Sequence, residues 1–91
     1  MEYLPLGTIL QLEGAEKNIM VIGYRAYDPD NWKDSGDYCA VPYPEGLLSS
    51  DNIIIFREDD IDHIYMYGAL DLDAREFLHY LKDVTEEELM L

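Results

Sequence analysis

Basic residues are scarce in this chain: six Lys and Arg stand against 20 Asp and Glu in 91 residues, a formal net charge of -14 at pH 7. Nucleic-acid binding depends on clustered cations, and here they fall singly at Lys17, Arg25, Lys33, Arg57, Arg75 and Lys82. The scatter argues against a nucleic-acid interface and, by the same electrostatics, against an anionic membrane surface. Cysteine is almost missing. The lone Cys39 can close no internal disulfide and lacks the companions of a structural zinc site. Long apolar runs are missing too, since charges and turn residues interrupt every stretch before the ~20 residues a membrane-spanning helix needs. The start Met1-Glu2-Tyr3-Leu4-Pro5 is acidic, unlike the basic opening and apolar centre of a secretory signal, so the expected location is cytoplasmic.

What is present is enough to fold. Hydrophobic residues make up 48% and aromatics 12%, with eight Tyr, which separates this chain from disordered acidic sequences. Its length suits one domain, residues 1–91, with a single core.

Thr8 to Leu12 is β-branched and apolar, and Glu13-Gly14-Ala15-Glu16-Lys17 supplies a hairpin connection to Asn18–Arg25, which is apolar on both alternating faces and reads as a covered central strand. Ala26 to Gly36 combines Asp, Asn, Pro, Ser and Gly and reads as a surface loop. Asp37 to Val41 returns as a third strand, ended by Pro42 and Pro44, with a turn at Pro44-Glu45-Gly46. Ile53 to Phe56 has the β-branched density of a buried strand. Strict alternation from Ile61 to Tyr67 predicts a fifth, with Ile61, His63, Tyr65 and Tyr67 on one face and Asp62, Ile64 and Met66 on the other. After Gly68 the period changes: Ala74, Phe77, Leu78 and Leu81 form one helical stripe, capped by Asp71 or Asp73. The expected fold class is α+β: a small curled antiparallel sheet over about 7–68, a C-terminal helix over about 71–83, and a short acidic tail.

Tyr3-Leu4-Pro5-Leu6-Gly7-Thr8, Gly14, Asn18 to Arg25, Tyr43-Pro44-Glu45-Gly46-Leu47 and Phe56 to Gly68, with its Glu58-Asp59-Asp60-Ile61 and Tyr67-Gly68, together resemble a small family from Gram-positive bacteria. Members of that family are encoded beside type VII secretion genes, near toxins with an N-terminal LXG domain and small helical partner proteins. The resemblance implies a cytosolic chaperone or targeting accessory that holds a toxin's LXG region for export. Its partner would be an LXG-type toxin or that toxin's small helical partner, and no catalytic residue is transferred.

Candidate chemistry is thin. Asp28, Asp30 and Asp34 share a loop, but an EF-hand counted from Asp28 would need Gly at Lys33 and Glu at Cys39, so no metal site is expected. Cys39 with His63 or His79 could in principle form a thiol and base pair, yet a free Cys in a strand ordinarily behaves as a small core hydrophobe. Glu58, Asp59, Asp60 and Asp62 form the densest acidic cluster. Alternation would send Asp60 and Asp62 to one face, where no second catalytic group accompanies them, so they read as edge-protecting charges or as a contact for a partner.

The aromatics exceed what a small core can hide, and Tyr and Trp suit surfaces that are apolar on one side and wet on the other. The candidate partner-binding residues are therefore Tyr27, Trp32, Tyr43, Glu45, Asp59, Asp60 and Asp62. The expected role is non-enzymatic, with no cofactor and a protein partner. An acidic immunity-type inhibitor of a toxin domain is the alternative.

Overall fold

The computed structural model describes residues 2–25 and 36–84. Five strands, β1 (Ile9–Leu12), β2 (Asn18–Tyr24), β3 (Tyr38–Pro42), β4 (Ile54–Phe56) and β5 (Ile61–Met66), are followed by one helix, α1 (Leu72–Asp83). All strand pairs are antiparallel, in the order β4-β3-β2-β1-β5, so the chain is a small α+β fold with the expected strands and helix. Short 3-10 turns at Ser50–Asn52 and Glu58–Asp60 flank β4.

The sheet curls because its two edge strands, β4 and β5, are consecutive in the chain. A flat five-stranded sheet would hold its edges about 19 Å apart. Phe56 and Ile61 are joined only through Arg57 and a 3-10 turn that rises about 2 Å per residue, so the link is too short for that. The concave face closes around Leu10, Ile19, Val21, Tyr38, Ala40 and Phe56, joined by Leu12, Ile54, Ile61 and Ile64 from the flanks.

β2 is central, as its composition suggests, but it is not covered on both sides: Ile22 is 39% exposed. The register steps from Val21–Ala40 to Gly23–Cys39, leaving Ile22 as the extra residue of a bulge. A side chain at Gly23 would meet the Cys39 sulfur at 2.8 Å, so glycine suits this close pairing. β4 is an edge and not a buried strand, with Ile53 exposed and Ile54 and Ile55 half-buried.

β5 departs from strict alternation. Its pairing with β1 slips between Ile9 and Leu10 and again between Gln11 and Leu12, leaving Tyr65 and Asp62 as extra residues. The slips put Ile61 and Ile64 on the same core, where period-two counting had separated them.

The N-terminal segment seals the open side of the core. Tyr3 and Leu4 pack on the cluster, the Leu4 N–H donates to the Tyr38 hydroxyl at 3.0 Å, and the Tyr24 hydroxyl donates to the Leu4 carbonyl at 2.6 Å. Helix α1 starts at Asp71, whose carboxylate accepts from the Ala74 N–H. Leu81 is buried, Ala74 and Leu78 are half-buried, and Phe77 is exposed on its outer side while meeting Tyr24 at a centroid distance of 6.0 Å. The helix is held at its far end by Arg25. That guanidinium donates to the Leu81 and Val84 carbonyls, two acceptors left open where the helix stops, and to the Tyr3 hydroxyl.

Candidate partner-binding surface

Hairpin geometry gathers acidic residues that are far apart in sequence. The Glu13 N–H donates to the Asp60 carbonyl, Gln11 pairs with Asn18, and the Tyr43 N–H donates to the Asn18 carbonyl. Tyr43, Glu45, Glu13, Asp59, Asp60 and Asp62 therefore line one end of the sheet, across three strand spacings of about 14 Å. Lys17 sits among them and is ion-paired with Glu45. The hydrogen bond from Lys17 holds the Glu45 carboxyl below its usual range.

These candidates are not equivalent. Asp60 belongs to a 3-10 turn and not to β5, so it shares no strand face with Asp62; its carboxylate turns back to accept the Arg57 N–H at 2.9 Å. Asp59 and Asp62 are exposed, and Tyr43 is 38% exposed beside the turn at Gly46, whose φ of 79° suits glycine. Tyr27 and Trp32 lie outside the described residues, as do most of the loop at 28–36 and the acidic tail.

The structure adds a surface that the sequence reading passed over. Tyr65 and Met66, at the end of β5, and Tyr67 just beyond it are 67%, 53% and 63% exposed, and the outer edge of that strand has no neighbour among the described residues. Leu6 extends it, because its backbone lies directly against Gly68. The missed signal was the extra residue at Tyr65, which turns an expected half-buried strand outward.

Other titratable groups are structural. Burial pushes the Tyr24 and Tyr38 phenols from 10.0 up to about 12, with neighbouring backbone groups pulling the other way. Burial also raises the Cys39 thiol, which opposes thiolate chemistry there. Among the described residues, no group of three or more His, Cys, Asp and Glu is placed to hold a metal ion, and no helix is long and apolar enough to cross a membrane.

The family described as a domain of unknown function, DUF4176, matches residues 3–77. The chain belongs to that family. No curated protein and no solved structure matches it. The DUF4176 span takes in the N-terminal seal, all five strands and the first half of α1. Within it, Thr8 and Gly68 have a shared physical role. The buried Thr8 hydroxyl donates to the Pro5 carbonyl at 2.7 Å and accepts the Gly68 N–H at 3.1 Å, and a side chain at Gly68 would fall 1.9 Å from the Leu6 carbonyl oxygen. The DUF4176 fold is thus strapped where the start of β1 meets the exit of β5.

Proposed function

We propose that this DUF4176 chain is a non-enzymatic protein-interaction domain, a cytosolic chaperone or targeting accessory for a type VII secreted toxin of the LXG type. The observation that carries the binding role is the exposed Tyr65-Met66-Tyr67 edge, continued by Leu6. Side chains of this kind dominate interface energetics, and an unpaired strand edge offers backbone groups to a partner. Asp59 and Asp62 at the start of the strand and Asp71 beyond it supply an acidic rim. Such a rim speeds encounter with a basic partner and rejects wrong ones more than it adds affinity. The export role rests on the resemblance described above.

A pull-down from the native host, washed at low and high salt, tests this reading. It should recover an LXG protein, and Tyr65→Ser with Tyr67→Ser should lose it; recovery of no LXG protein under either wash overturns the export role. The acidic end formed by Glu13, Glu45, Asp59 and Asp62 favours a second reading, an immunity-type inhibitor that fills a basic cleft. Co-expression separates them, because an inhibitor protects cells from the toxin domain alone and a chaperone of its secretion domain does not.

A further inference from the structure

A cleft of about 350 Å³ opens between the N-terminal segment and α1, and its lining differs from the rest of the molecule. Arg75, His79 and Lys82 follow one another at helical spacing along a single face of α1, with Tyr3, Leu70 and Leu78 supplying apolar walls. In a chain with six Lys and Arg, this puts two of them beside one opening. Lys17 is paired with Glu45, and Arg25 is taken up by the end of the helix. Among the described residues, one carboxylate lines the cleft, that of Glu2. It reaches Lys82 at 3.4 Å and is 92% exposed, so the contact is loose and open to exchange.

We propose that this cleft binds an acidic peptide segment of another protein, with carboxylates on Arg75 and Lys82 and an apolar side chain between Tyr3, Leu70 and Leu78. Charge complementarity selects the guest: a cationic stripe beside apolar walls suits alternating acidic and apolar residues. The chain supplies a precedent in Glu2-Tyr3, an acidic residue followed by an aromatic one, both already lining this cleft. The cations are in contact with the guest, whereas repulsion from distant carboxylates is screened beyond about 8 Å at physiological salt. Glu76 and Asp83, on the adjoining face of α1, limit how many carboxylates the guest can present.

The test uses the full chain and a fluorescent acetylated peptide alternating Glu and Leu, read by polarisation at physiological salt. Binding should weaken about tenfold in Arg75→Gln and again in Lys82→Gln, the loss expected for one charge-assisted contact each. Glu2→Gln should tighten it by removing the competing carboxylate, a gain that a merely structural role for Glu2 would not produce. Circular dichroism of each variant checks that α1 is intact. No binding overturns the proposal, as does equal binding of the peptide with Gln in place of Glu. Displacement by millimolar inorganic phosphate also overturns it, since the cleft would then be a small-anion site. The cleft is separate from the β5 surface, so Tyr65→Ser should leave this binding unchanged.

Discussion

Tyr38 is the pivot of the core: fully buried, stacked on Phe56 at 5.2 Å, and closed over by the Leu4 amide. Its phenol and that of Tyr24 are held above the ordinary 10.0, so each is favoured neutral in the fold. The stability they contribute is fully present below pH 10 and is lost as pH rises from 10 through about 12. An alkaline titration followed by circular dichroism and phenolate absorbance should show these two phenols ionising together with unfolding.

Thr8 and Gly68 make the second residue-scale expectation. Thr8→Val leaves the half-buried Gly68 amide without its acceptor and takes from the Pro5 carbonyl one of its two donors, the Thr8 N–H remaining, which costs about 1–3 kcal/mol. Gly68→Ala drives a methyl into the Leu6 carbonyl, so backbone must move, at a cost of about 1–3 kcal/mol or more. For a domain this size each kcal/mol lowers the melting temperature by about 4–8 °C, readily resolved by calorimetry.

At the scale of elements, α1 depends on Arg25 more than on its own packing, since Leu81 is its one fully buried side chain. Arg25 also holds an unusual φ of 49°. Arg25→Gln removes the charged donors and should cost about 2 kcal/mol. Arg25→Gly loses the same donors but relieves about 1 kcal/mol of left-handed strain, so it should destabilise less. Amide exchange within α1 should accelerate in both variants while β2 and β3 stay protected.

Strands and helix were legible because their signals are local: β-branched density in Ile53 to Phe56, the period change after Gly68, and the cap at Asp71. Bulges were not. Ile61 and Ile64 look like opposite faces when counted by two, and only the pairing with Leu10 and Leu12 reveals that both turn inward. The same slip hid Tyr65 and Tyr67 as surface groups. Of the expected contact residues, Tyr43, Glu45, Asp59 and Asp62 do share one end of the sheet, because hairpins return the chain to where it began. Asp60 misled because its carboxylate serves its own turn. The cleft was not legible either, since Glu2 and Lys82 are far apart until the fold brings them together.

For the whole molecule, the net charge of -14 means that folding compacts mutually repelling carboxylates. Added salt should therefore raise the thermal midpoint between low and physiological ionic strength, against the weak loss of an exposed pair such as Lys17–Glu45. A flat or falling midpoint would show that local pairs outweigh the overall repulsion.

β1 takes its second neighbour from residues 49 to 57 positions later in the chain, and the strap from Thr8 to Gly68 fastens that seam. A chain still being synthesised can form the hairpin of β1 and β2, but its core stays open along one side until β5 emerges. High contact order of this kind slows folding and leaves an apolar rim uncovered meanwhile. The domain is therefore all-or-none in assembly: cutting it anywhere before Gly68 should yield no smaller folded unit, and a partner that recognises β5 meets only chains whose sheet is already complete.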